Sequence, residues 1–254
     1  MNRFNNTFAE NRKALVAYIT VGLPGLTDTA ERIAAIIDSG ADIIELGVPF
    51  SDPTADGTVI QAAGQHALAA GFTFEKVLLL AAELRRLRPK TPLVIFSYYN
   101  LLFNYGVTKL ASRLAEIGVD GVLAVDLPME ERDELAKPLR DNAVELIPLL
   151  APTTDDERAA AILAGSQAFA YCITVRGVTG ARSEFAVGFA EELCRFKRLA
   201  GTLPVAAGFG IASPEMAQEA AKYADAVVVG SALMSKIMDG ENPAAFIRAL
   251  KAVL

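Results

Sequence analysis

Eight short apolar runs punctuate the chain: LVAYITV at 15–21, DIIELG at 42–47, LVIFS at 93–97, GVLAVD at 121–126, ELIPLL at 145–150, AFAYCIT at 168–174, LPVAAG at 203–208 and AVVVG at 226–230. They are continuously apolar rather than alternating, which suits strands covered on both faces, the condition of a parallel sheet. Between them lie TAERIAAIIDSG, FEKVLLLAAELRRL, VTKLASRLAEIG, MEERDELAKPLRDN, DDERAAAILAGS, FAEELCRFKRL and SPEMAQEAAKYA, in which apolar residues return every three or four positions, as on one face of a helix. Ser213 and Pro214 read as N-cap and first residue of the last of these. Eight strand-helix units in this length predict an α/β fold, a (β/α)8 TIM barrel forming a single domain over residues 1–254. An open doubly wound sheet is the runner-up, but no GxGxxG opens a helix after the first strand and no linker divides the chain. Extra helices are expected at the N-terminus, from about Arg3 to Asn11, as a helical turn near 59–70 in the second connection, and as a short helix from about Ser231 beyond the eighth strand.

Composition supports a large core: 52% of the 254 residues are hydrophobic and 21% charged, the balance of a globular chain. With 24 Lys and Arg against 30 Asp and Glu, and no basic block to neutralise a run of phosphates, nucleic acid is excluded as a partner. The polar opening MNRFNNTFAENRK lacks the apolar core of a signal peptide, and no stretch reaches the ~18 apolar residues of a membrane span, so a cytoplasmic protein away from membranes is expected. Cys172 and Cys194 have no CxxC spacing and no histidines beside them, so neither a metal site nor a disulfide framework is expected, and both read as buried, reduced thiols.

Active sites of such barrels lie at the C-terminal ends of the strands. Glu45 ends the second run, where an apolar setting raises a carboxyl pKa and suits it to general acid-base work; a structural ion pair is the alternative, but no other strand offers an obvious basic partner. Eleven residues on, Asp56 lies in DPTADG, a loop that Pro49, Pro53 and Gly57 shape tightly. Alone, an Asp before Gly forms a turn; delivered to the same mouth, it could share acid and base work with Glu45 because their environments differ. Asp52 reads as a cap of that loop. VRGVTG, GFGIASPE and GSALMSK follow the sixth, seventh and eighth strands, and backbone amides at Gly208, Gly210 and Gly230, with a helix starting near Ser231, would cradle a phosphate.

ELGVPFSDPTADG at 45–57 closely resembles the signature of tryptophan synthase α subunits, and YYN at 98–100, VDLPMEE at 125–131, GVTG at 177–180, GFGI at 208–211 and GSA at 230–232 follow in that family's order. The resemblance covers essentially the whole chain. It implies a lyase of tryptophan biosynthesis that cleaves indole-3-glycerol phosphate to indole and glyceraldehyde 3-phosphate by a retro-aldol reaction, with no cofactor or metal in this chain. It also implies an α2β2 complex whose β subunit carries pyridoxal phosphate and receives the indole through a tunnel. Glu45 matches the family's acid-base glutamate and Asp56 the aspartate that holds the indole nitrogen. Tyr171 matches a tyrosine lining the substrate site, with plain core as its other reading; Tyr98 and Phe209 either wall the indole pocket or pack the core. Thr179 and Gly180 match the loop after the sixth strand, where the threonine pairs with the aspartate and Gly180 adds to the phosphate site. Asp52 and Pro53 match the part of the loop that faces the β subunit, so capping and interface roles both stand for Asp52.

The sequence departs from the family pattern at Leu23, where Asp is usual, at Thr58, where Pro is usual, and at Val175 and Arg176. None removes a proposed catalytic group. His66, the single histidine, is expected on a solvent-facing helix away from the chemistry. A stand-alone indole-releasing lyase and a non-catalytic phosphate-binding partner are the competing functions, and retention of both Glu45 and Asp56 speaks against the second.

Overall fold

A computed structural model describes residues 3–9, 13–173, 188–208 and 210–254. Nine parallel strands form one sheet: β1 (Ala14–Thr20), β2 (Ile43–Gly47), β3 (Leu93–Ser97), β4 (Gly121–Ala124), β5 (Glu145–Leu146), β6 (Leu149–Leu150), β7 (Ala170–Ile173), β8 (Val205–Gly208) and β9 (Ala226–Val229). Their spatial order is β5-β4-β3-β2-β1-β9-β8-β7-β6, so the two ends of the order are the two halves of one sequence run. Ile147 donates its N–H to Val122 O on one side (2.8 Å), and Pro148 O accepts from Tyr171 N on the other (2.8 Å). The run thus passes from β4 to β7 and closes the circle of a barrel. Its division has a local cause, because Pro148 has no N–H to give a ladder. The eight runs of the sequence are therefore the eight staves, the fifth cut in two.

Helices cover the outside: α1 (Arg3–Phe8), α2 (Ala30–Asp38), α3 (Thr58–Ala69), α4 (Phe74–Leu87), α5 (Tyr99–Tyr105), α6 (Val107–Ile117), α7 (Asp133–Asp141), α8 (Asp156–Leu163), α9 (Phe189–Ala200), α10 (Pro214–Ala221), α11 (Ser231–Met238) and α12 (Pro243–Lys251). Their starts are written in the sequence, since Thr29, Thr73, Asp155 and Ser213 each accept a hydrogen bond from the backbone N–H three residues on. Every residue of β1 to β4 is buried, as continuous apolar runs require when barrel interior and helix layer meet on either side. No helix among the described residues is long and apolar enough to cross a membrane.

Several expectations need correction. The helical turn near 59–70 is a twelve-residue helix, α3, carried by the buried face of Ile60, Ala63, Gly64 and Ala67. His66 lies on its exposed side, as expected. Helix α5 was not foreseen: YNLLFNY begins without a side-chain cap and buries only Leu102. Cys172 is buried, but Cys194 is exposed, because it follows Leu193 on α9 and points away from the face that Leu193 and Phe196 bury.

Candidate active site

Glu45 is the third residue of β2, in register with Tyr18 on β1 and Val94 on β3. It is completely buried, and neither carboxylate oxygen has a hydrogen-bond partner among the described residues. Burying a charge without a partner is costly enough that the group keeps its proton instead. Burial pushes the Glu45 carboxyl up to about 8.

The walls around it are aromatic. Tyr18 and Phe96 meet edge to face at 5.0 Å, and Phe96 and Tyr171 at 6.5 Å. Burial first, and then the charges of Asp56 and Glu45, push the Tyr18 phenol far up; burial and Glu45 do the same to Tyr171. Two glycines make room for these rings. A Cβ on Gly47 would stand 2.3 Å from the Tyr18 hydroxyl oxygen, and one on Gly208 would stand 2.3 Å from the Tyr171 ring. Gly208 thus has a packing reason to lack a side chain, besides any offer of its amide to a phosphate. Tyr18 and Gly47 were not singled out in the sequence. A hydroxyl inside LVAYITV, and a glycine two residues after the carboxylate, were the signals.

Asp56 reaches the same region from the loop between β2 and α3 and is 8% exposed. Its N–H donates to Pro53 O (3.1 Å), and its carbonyl accepts from Gln61 Nε2 (2.8 Å). The Tyr98 hydroxyl accepts the Ala55 N–H at 3.0 Å and hydrogen-bonds the Asp56 carboxylate. Burial raises Asp56 to about 6, and the Tyr98 bond works in the opposite sense. Tyr98 is itself buried and packs on Phe50, with ring centroids 4.9 Å apart. At pH 7, then, one carboxyl is mostly protonated and its neighbour mostly ionised, a division set by environment that suits paired acid and base work.

Asp52 is exposed. Its carboxylate accepts from the Ser51 hydroxyl (2.5 Å) and its carbonyl from Thr54 N (2.9 Å), a cap within the loop; Pro53 beside it is partly exposed. On the opposite rim Gly210 takes φ +91°, a left-handed conformation open chiefly to glycine. Gly230 is the N-cap of α11 and makes no side-chain cap bond to the first-turn amides that start at Ser231. Thr179, Gly180 and Phe209 lie outside the described residues.

A cavity of about 950 Å³ lies elsewhere, beside the divided strand and between α7 and α8, lined among others by Leu127, Arg132, Glu145, Leu146 and Leu149. It contains neither Glu45 nor Asp56. The candidate site is therefore set by the Glu45 carboxyl, without a partner among the described residues, and not by cavity size.

Comparison with known proteins bears on the chain as a whole. The family model described as "Tryptophan synthase alpha chain" matches residues 4–253. A tryptophan synthase alpha chain of Novosphingobium aromaticivorans is 43% identical over 257 residues, covering 100% of this chain and 96% of that one. The structure of Mycobacterium tuberculosis tryptophan synthase superposes with a TM-score of 0.90 at 33% identity, covering 99% of this chain and 98% of that one. A tryptophan synthase α2β2 complex from Pyrococcus furiosus gives 0.86 at 35% identity, over 95% of this chain and 99% of that one.

Proposed function

This chain belongs to the tryptophan synthase alpha chain family, lyases that cleave indole-3-glycerol phosphate and pass indole to a β subunit, and from that premise we propose how its residues divide the reaction. Glu45 is the general acid and base. Breaking the bond between indole C3 and the glycerol chain requires a proton on C3, and a carboxyl that keeps its proton to about pH 8 has one to give. As the carbonyl of glyceraldehyde 3-phosphate forms, the resulting Glu45 carboxylate takes the proton of the glycerol hydroxyl and is restored. Asp56, mostly ionised at pH 7, holds the indole N–H and stabilises the positive charge that develops on the ring nitrogen as C3 becomes tetrahedral. Each contribution is on the scale of a positioned acid-base group or charge partner, about 3 kcal/mol.

Tyr18, Tyr98 and Tyr171 wall the indole, and the family resemblance adds Phe209 to that wall, Thr179 as the partner of Asp56 and Gly180 as part of the phosphate site. The phosphate site is completed by Gly208, Gly210, Gly230 and the α11 amides from Ser231. The reaction needs no cofactor from this chain, and pyridoxal phosphate belongs to the β subunit. Asp52 and Pro53 face that subunit in an α2β2 assembly in the cytoplasm; a tryptophan synthase of that composition is among the structural neighbours.

The observation that carries this reading is the buried Glu45, without a partner among the described residues, sharing Tyr18 as a neighbour with Asp56. Its test is indole release from indole-3-glycerol phosphate, by the chain alone and with added β subunit. Turnover is expected in both, faster with the partner, and Glu45→Gln should lose at least ~100-fold while still unfolding in one cooperative transition. Undiminished turnover in that variant would sink the assignment.

A further inference from the structure

The Asp56 carboxylate is gripped by Tyr98, but the peptide that carries it is gripped by something else. Gln61 is the fourth residue of α3, and a helical side chain leans back over the preceding turn, here towards the chain just before the helix. Its N–H makes the ordinary helical bond to Gly57 O (3.0 Å), while its side-chain Nε2 donates to Asp56 O at 2.8 Å and stands 3.5 Å from Pro53 O. Both neighbours are carbonyls, so only the NH₂ end of the amide can face them.

The consequence for Asp56 is geometric. Its N–H is tied to Pro53 O and its carbonyl to Gln61, so the peptide groups on both sides of its Cα are fixed. With the backbone dihedrals set, the carboxylate can swing only about its own side-chain bonds, and Tyr98 takes up that freedom. Gln61 itself is only partly buried, while the core face of α3 belongs to Ile60, Ala63, Gly64 and Ala67. Its side chain is thus spent on the loop and not on packing.

We propose that Gln61 is a positioning residue for Asp56, its side-chain amide holding the Asp56 peptide so that the carboxylate meets the indole nitrogen. This rests on the reading of Asp56 given above. A displacement of about 1 Å at a charge partner is enough to cost on the order of 100-fold in rate.

The test is a cycle measured as kcat and KM for indole-3-glycerol phosphate cleavage, with β subunit present, on the unaltered chain, Asp56→Asn, Gln61→Leu and the double variant. Gln61→Leu is expected to lower kcat about 10- to 100-fold with its unfolding transition unchanged. In the Asp56→Asn background the same substitution should cost less than about twofold, since the group it positions is gone. Gln61→Lys, which keeps a donor within reach, should recover most of kcat. Should leucine unsettle the helix, Gln61→Glu, of the same shape but turning an acceptor to the two carbonyls, carries the same expectations. Full kcat in Gln61→Leu and Gln61→Glu, or an equal fold loss in both backgrounds, overturns the proposal. Full turnover in Asp56→Asn alone would instead remove the reading of Asp56 on which it stands.

Discussion

At opposite ends of the barrel a carboxyl is taken out of water, in opposite company. Glu45, towards the C-terminal ends of the strands, is wholly buried with no partner among the described residues. Asp120, immediately before β4 at the N-terminal end, is 7% exposed and accepts from Arg3 Nη1 (2.8 Å), Arg85 Nη2 (2.7 Å) and Leu93 N (2.9 Å). Arg85 is satisfied in turn by the carbonyls of Gly118, Arg88, Pro89 and Thr91. The same residue chemistry serves stability where its charge is matched and, in the proposed mechanism, proton transfer where the charge is left unmatched so that the acid form survives. The two ends of a barrel divide labour in the same way.

The largest way to break this contrast is to remove the matched carboxylate. Asp120→Ala leaves the Arg85 guanidinium buried without its anion, and should cost roughly 3–5 kcal/mol in denaturant unfolding while leaving turnover per folded molecule unchanged. A loss below 1 kcal/mol would mean that the lower cluster is not holding the barrel floor.

The unmatched end answers to pH. The proposed mechanism requires Asp56 ionised and Glu45 protonated, so kcat/KM should form a bell with limbs near pH 6 and pH 8. Stability moves with it. The folded chain keeps the Glu45 proton up to about pH 8, whereas the unfolded chain releases it near 4.5, so the stability this group lends is full below 4.5 and is lost as pH rises through that interval. Glu45→Gln should flatten this slope, and an unchanged slope in urea titrations from pH 5 to 8 would contradict it.

Two smaller effects belong to neither carboxyl. Ala143 closes α7 at φ +56°, where its N–H bonds Arg140 O, in a conformation that glycine takes without strain. Ala143→Gly should stabilise by about 0.5–1 kcal/mol without touching activity. Thr58 opens α3 after an extended Gly57 (φ −80°, ψ 170°), a setting that accepts proline at the first helical position. Thr58→Pro should add about 0.5 kcal/mol in thermal or denaturant unfolding.

How far the sequence could be read follows from the same contrast. Glu45 was legible because a carboxylate at the end of an apolar run, where barrel active sites lie, demands an explanation, although β2 runs on through Leu46 and Gly47. Asp120 was not, since its partners lie 117 and 35 residues away and nothing local distinguishes it from a turn residue before a strand. The eight staves were legible from uninterrupted Val, Ile and Leu, and Pro148 inside ELIPLL was a sign of the break that the structure shows. Tyr18, Gly47 and Gln61 escaped because their work consists of contacts across strands and back from a helix, which no spacing along the chain encodes. Cys194 was misread for the simplest reason: one step along a helix turns a residue from the core to water.

The proposed mechanism depends on the protonation state of one side chain. The most direct measurement is a ¹³C-carboxyl NMR titration of the folded chain, with the Glu45 resonance assigned by its loss in Glu45→Gln. A midpoint near 8 is the predicted result. A midpoint near the ordinary 4.5 would leave Glu45 ionised at neutral pH, with no proton to deliver to indole C3, and would contradict the mechanism.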